Sequence, residues 1–303
     1  MKRNRLMHIL AAVACAAALS SSYVYGIYSH MNRLFPYPQL LAIKNRLFPL
    51  SIGFKDTSMK TVVPCAAAGS GRTMVALALG QSNTGNHGET LHRSLRPVIN
   101  LYRGRCYRAE DPLLGPTGDR GSVWTRLGDL LIGAGLYDRV IIIPIGVGST
   151  AIADWVPGGY LHRRVTNAIE EARRAGLAIT HVFWIQGGSE KRSNGDAAVR
   201  ERYKKDFRSL VRSLRDRGVT APAYVAIGTI GMDGFKPDIA RAQRELVDPA
   251  AGILAGPDTD SLHAVEENRW EVVHFSPLGL DRCARAWLDI IRKSGSGAVV
   301  PGP

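Results

Sequence analysis

The stretch MVALALGQSNTGNHG, residues 74–88, passes from an unbroken apolar run into a chain of turn formers. A continuous apolar run closed by glycine fits a strand covered on both faces, the kind that builds parallel sheets. Ser82 then stands two residues beyond Gly80. It is either a nucleophile raised on a loop at a strand's carboxyl end or a hydroxyl that caps the chain as it leaves the sheet.

The same pattern recurs downstream. RVIIIPIG (139–146), ITHVFWIQG (179–187) and PAYVAIG (222–228) are further short apolar runs that end in glycine. Helical spacing separates them: Leu127, Leu130, Leu131 and Ala134; then Leu161, Val165, Ala168, Ile169 and Ala172; then Val199, Tyr203, Phe207, Leu210, Val211 and Leu214. A last helix is predicted to open with Ser276 as N-cap and Pro277 as its first residue. Strands alternating with helices predict an α/β fold of three layers around a central parallel sheet. Sites in such folds form at the carboxyl ends of the strands.

The chain of 303 residues is 45% apolar, enough for one domain of roughly 200–250 residues once an N-terminal segment is set aside. Lys2, Arg3 and Arg5 precede an apolar run from Leu6 to Leu19, the layout of a signal peptide. With Tyr23 to Tyr28 included, the run reaches the length of a membrane-spanning signal anchor. The predicted divisions are a signal peptide or anchor and hydrophobic helix at 1–30, a membrane-proximal segment and linker at 31–72, a catalytic domain at 73–293 and a disordered tail at 294–303. The net charge of +13 favours anionic partners such as lipid head groups or acidic polysaccharide. No zinc-finger spacing, RNP-like motif or basic heptad directs that charge to nucleic acid. Export places the chain outside the cytoplasm, where Cys65 and Cys106, in polar or turn-rich surroundings, are free to pair. Cys283 lies at helical spacing with Leu280, Trp287 and Ile291 and reads as core. The sequence has no CxxC or Cys/His cluster of the kind that holds zinc.

A nucleophilic serine needs a base within reach and a third group to orient that base. Among eight histidines, His274 stands out: it precedes the last helix in EVVHFSPLGL (271–280), with Glu271 three residues before it. His87 and His92 follow Ser82 in a polar loop and read as substrate contacts or surface groups. The turns GVGSTAIADW (146–155) and WIQGGSE (184–190) close two other strands. Gly148 N–H and the Gln186 amide there are candidate donors to an oxyanion. GQSNTG is not the G-x-S-x-G elbow, GSGRT lacks the residues of a P-loop, and GVGSTA lacks the third glycine of a dinucleotide fingerprint.

GQSN after the first strand, then Gly148, Ser149, Thr150 and Trp155, then W-x-Q-G, then an acidic-x-x-His-Phe-Ser close to the terminus, together resemble the SGNH-hydrolase superfamily. The branch is that of the sialate O-acetylesterases and carbohydrate esterase family 6, over residues 74–292; GPDTDSL (256–262) also resembles a stretch of bacterial members. The resemblance implies a flavodoxin-like SGNH-hydrolase fold and an esterase that removes acetyl groups from sugar hydroxyls with no metal or organic cofactor. It implies Ser82 as nucleophile, His274 as base and Glu271 as orienting acid, with Ser82, Gly148 and Gln186 forming the oxyanion hole and Gln81, Asn83 and Trp155 contacting substrate. The partners implied are an O-acetylated glycan or polysaccharide and, through the N-terminal segment, a membrane. The sequence departs from the family pattern in three places: Glu271 replaces an aspartate, Ser149 a glycine, and Gly188 a glutamate, with Glu190 close by. Two other readings share these groups: a polysaccharide O-acetyltransferase, and a carbohydrate-binding protein that keeps the fold without turnover.

Overall fold

The computed structural model describes residues 2–32, 34–47, 52–65, 71–263 and 266–295. The chain divides into two units, residues 1–51 and 52–303. The first holds helix α1 (Lys2–Asn32) and helix α2 (Tyr37–Leu47). Within α1, Ala11–Ser29 is long and apolar enough to cross a membrane.

The second unit is built on an eight-stranded sheet. Its strands are β1 (Val62–Val63), β2 (Thr73–Gly80), β3 (Val98–Tyr102), β4 (Arg105–Arg108), β5 (Arg139–Pro144), β6 (His181–Ile185), β7 (Ala223–Ile227) and β8 (Ile253–Asp258), in the order β1-β4-β3-β5-β2-β6-β7-β8. The pairings from β3 through β8 are parallel, and β4 and β1 extend one edge antiparallel. Alternate residues of β2 serve opposite faces. Val75, Leu77 and Leu79 join a core with residues of α4 (His162–Arg174), α5 (Ala197–Arg215) and α6 (Pro237–Glu245). Met74, Ala76 and Ala78 join a core with Trp124 of α3 (Val123–Gly133) and Trp287 of α7 (Pro277–Lys293). Both faces of the sheet are therefore covered, which is why the strands read as continuous apolar runs. Cys283 is buried in the second core, as its spacing predicts, and burial pushes its thiol up to about 12. Ser276 caps α7 by accepting from Gly279 N–H at 3.1 Å.

Strand β2 lies between β5 and β6, so two strands consecutive in the parallel part of the chain sit on either side of it. In open α/β sheets ligands bind outside the carboxyl ends of the strands where the order reverses, and Ser82 emerges at the carboxyl end of β2.

The boundary predicted at residue 73 falls too late. Residues 52–65 belong to the α/β unit: β1 pairs with β4, Phe54 N–H donates to Pro116 O at 2.7 Å, and Arg164 donates to Ile52 O at 2.8 Å. Cys65 and Cys106 form a disulfide across a separation of 41 residues and staple this edge. Only two residues of the segment are strand, too few to show a period in sequence. Of the predicted tail, Ser294 and Gly295 follow α7, and residues 296–303 lie outside the described residues. Replacing Cys65 and Cys106 together by alanine is expected to cost about 2–4 kcal/mol through the freed unfolded chain. Urea unfolding would measure it, and an unchanged midpoint would refute the stapling role.

Candidate active site

Ser82 opens a single 3-10 turn, Ser82–Thr84, directly after β2. Gly80 makes the exit possible: its φ is +135°, and a Cβ there would stand 2.1 Å from Ile185 O. The turn is anchored to the end of β6, because Gln81 N–H and the Thr84 hydroxyl both donate to Ile185 O, at 2.9 Å each. Trp124 Nε1 donates to Thr84 O at 2.8 Å and holds the turn from the other side.

His274 arrives on a hairpin of β9 (Arg269–Trp270) and β10 (His274–Phe275), which packs beside the serine turn. The link is direct: Asn83 Nδ2 donates to Val273 O at 3.1 Å, and Arg269 donates to the same oxygen at 2.8 Å. Residues adjacent to the predicted nucleophile and base are thus bonded to each other. Glu271 Oε2 lies 3.5 Å from His274 Nδ1, an ion-pair distance longer than a hydrogen bond, with the carboxylate side chain 57% exposed. The His87 ring stacks on His274, with centroids 5.0 Å apart.

Backbone strain gathers here. Among the described residues four non-glycines have positive φ, and three of them are Ser149 (60°), Glu271 (49°) and Val272 (69°). Each costs about 1–2 kcal/mol in the left-handed region. Such strain persists where surrounding structure enforces it, often at functional sites. Ser149 occupies a conformation that suits the glycine usual in the family.

Several expected roles change. Gln186 is fully buried, and its amide donates to Thr150 O at 3.0 Å and to Glu190 Oε1 at 2.7 Å. Both amide hydrogens are spent, so Gln186 braces the Gly148–Thr150 turn and does not face an oxyanion. Reversing the amide would set its oxygen against a carbonyl and a carboxylate. Gly148 N–H already donates to the Thr117 hydroxyl at 2.8 Å. Trp155 is not a substrate contact: it is fully buried, packs edge-on against Trp184 and donates to Thr150 Oγ1 at 3.1 Å. Gln81 is buried too, and its side-chain oxygen accepts from Gly187 and Ser189 N–H at 3.1 and 3.2 Å. Asn83 holds the histidine hairpin. His92 pairs with Asp129 at 3.0 Å, an anchor for its own loop.

The missing carboxylate of the third block is supplied from two residues on. A Cβ at Gly188 would meet Ile230 O at 2.4 Å, so no glutamate fits there. Glu190 instead accepts from Gln186 Nε2 and from Ile152 N–H at 2.6 Å, and its burial raises its pKa. Sequence reading passed over Thr117, and no motif marks it. The Trp270–Arg120 pair was also missed: Arg120 lies 4.5 Å above the Trp270 ring, whose Nε1 donates to His87 O at 3.1 Å.

With this geometry in hand, residues 131–276 match the carbohydrate esterase, sialic acid-specific acetylesterase family. The chain resembles the sialic acid-specific acetylesterases. Over 103 residues it is 29% identical to a probable carbohydrate esterase of Arabidopsis thaliana, a match spanning 34% of this chain and 38% of that relative. A solved Arabidopsis thaliana protein superposes on this acetylesterase-like chain with a TM-score of 0.55 at 18% identity, covering 73% of this chain and 100% of its own. The structure of NanS gives a TM-score of 0.51 at 15% identity, over 73% of this chain and 98% of its own. A carbohydrate acetylesterase from Xanthomonas citri also gives 0.51 at 15% identity, over 75% of this chain and 57% of that one. These likenesses establish a shared three-layer α/β fold.

Proposed function

We propose that the chain is a serine esterase that removes O-acetyl groups from a carbohydrate through an acetyl-serine intermediate. The observation that carries this is the bond from Asn83 to Val273, which ties the turn bearing Ser82 to the hairpin bearing His274 and Glu271. Ser82 Oγ attacks the acetyl carbonyl while His274 accepts its proton. The intermediate collapses, His274 returns that proton to the departing sugar oxygen, and water activated by His274 then releases acetate. Glu271 orients the imidazole and stabilises its charged form. Its 3.5 Å separation suits a resting enzyme, where catalytic hydrogen bonds are often long. Glu190 turned inward and Glu271 beside His274 both favour turnover over a protein that only binds.

The match to an acetylesterase family supports the carbohydrate substrate. The disulfide and the apolar Ala11–Ser29 helix support action outside the cytoplasm, tethered by that helix or released from it. The test uses the full chain in detergent with nitrophenyl acetate, with and without a sugar acceptor, measuring acetate and acetylated sugar. Acetate release independent of acceptor is expected. Acetylated sugar formed at the expense of acetate would assign a transferase, and neither product would overturn the enzymatic reading.

A further inference from the structure

Arg120, in the loop between β4 and α3, is exposed; among the described residues no carboxylate lies within ion-pair distance of its guanidinium and no oxygen accepts from it. The group rests instead on an aromatic face, 4.5 Å from the centroid of the Trp270 ring. That ring is itself fixed. Its Nε1 donates to His87 O at 3.1 Å, and Trp270 stands directly opposite His274 in the β9–β10 pair. Directly opposed residues of an antiparallel pair point to the same face, with Cβ atoms about 5 Å apart. Trp270 and the proposed base are therefore neighbours on one face of the hairpin. The loop carrying Arg120 is fastened to the same place. Arg120 N–H donates to Asn86 O at 3.0 Å, Gly88 and Gly121 exchange N–H···O bonds at 2.9 Å, and Glu89 N–H donates to Phe275 O at 3.0 Å. The segment 86–89, which begins four residues after Ser82, thus joins the Arg120 loop to the hairpin of His274.

We infer that Arg120, held on Trp270, is the specificity-determining residue for a sugar that bears a carboxylate, so that the acetylated carbohydrate of the proposed reaction is an acidic one. This deepens the esterase reading and rests on His274 being its base. Stacking occupies the flat face of a guanidinium and leaves its N–H edge open. That edge matches a carboxylate with two parallel hydrogen bonds. The ring beneath also restricts the arginine before any ligand arrives, so less freedom is lost on binding. A neutral sugar offers neither the charge nor the paired acceptors. Glu271, the carboxylate of the same hairpin, is directed to His274 at 3.5 Å and leaves the Arg120 charge unmatched. The net charge of +13 attracts every acidic ligand alike, whereas Arg120 acts on one bound beside the base.

The experiment measures acetate release by the full chain in detergent at fixed ionic strength, for wild type, Arg120→Gln, Arg120→Lys and Trp270→Leu. The substrates are fully O-acetylated N-acetylneuraminic acid and fully O-acetylated galacturonic acid, each beside its own carboxamide, which keeps the shape and removes the charge. The readout is the ratio of kcat/KM for acid over carboxamide. In the wild type that ratio is expected to be about 10–100 for at least one of the two sugars, carried by KM, as for a contact made equally in ground and transition states. The sugar that shows it names the source of the carboxylate. Arg120→Gln should bring the ratio to about one, and Arg120→Lys, which keeps the charge and loses the fork, should fall between. Trp270→Leu should lower the ratio about threefold or more by removing the aromatic face. A wild-type ratio near one for both sugars, with nitrophenyl acetate still hydrolysed, would overturn the acidic-sugar inference and leave the esterase reading standing. A high ratio that survives Arg120→Gln would assign the preference elsewhere and overturn the Arg120 role. So would a fall in kcat alone that is equal for acid and carboxamide, the mark of a merely structural residue. A ratio undiminished in Trp270→Leu would overturn the part given to the ring. A wild type that hydrolyses none of these esters would overturn the esterase reading and this one with it.

Discussion

Ser82→Ala is expected to reduce acetyl-ester turnover by about 10⁵–10⁶-fold, and His274→Ala by a similar factor, because nucleophile and base act as a unit. The fold should not register the serine change. The bonds that shape its turn run through Gln81 N–H and O, Thr84 N–H and Oγ1, and Gly85 N–H to Ser82 O, and these make no use of the Ser82 hydroxyl. Thermal melting should therefore overlay that of the wild type, within the ±0.5 kcal/mol typical of benign substitutions. Mass spectrometry after phosphonate treatment should place the adduct on Ser82 and on no other serine. Undiminished hydrolysis by Ser82→Ala would make the hydroxyl a turn cap and send the search for the nucleophile elsewhere.

Glu271→Gln is the second large effect, a loss of about 10²–10⁴ in kcat that keeps within the cost of a disabled orienting acid. The residue is half in solvent and sits in a three-residue turn where its own φ and that of Val272 are positive. Water screens an exposed pair, so its resting attraction to His274 is small. Its contribution grows when the imidazole becomes charged in the transition state. The loss should accordingly appear in kcat, with KM and melting temperature little changed. An activity for Glu271→Gln within twofold of the wild type would show that another group orients His274.

The layers of the fold were legible because burial on both faces writes continuous apolar runs, and amphipathic helices write a 3.6-residue period. Those two signals located β2, β5, β6 and β7 and four of the helices behind them. They missed β1, β9 and β10, which are two residues each, the strand β8, the helices α2 and α6, and the β3–β4 hairpin, whose Arg103–Gly104 turn broke the run. The core place of Cys283 and the partnership of Cys65 with Cys106 were also readable, the first from spacing and the second from the surroundings of the two thiols.

What each polar side chain does at the site belongs to another level. A glutamine after a strand carries the same letter whether its amide meets an oxyanion or, like Gln186, a carbonyl and a carboxylate. The replacement of the family glutamate by Gly188 looked like a loss until Ile230 O was seen to leave no room for a side chain and Glu190 to deliver the carboxylate. Sequence by itself determined four of the strands and the helices alternating with them, the glycine-closed strand ends and the candidates Ser82, His274 and Glu271, since periodicity and turn chemistry are local. Only the tertiary structure decided which side-chain hydrogens are already bonded and which residues pack against His274. Hydrogen-bond capacity is finite, and where each proton goes depends on neighbours such as Thr117 and His87 that chain order leaves about 30 residues apart.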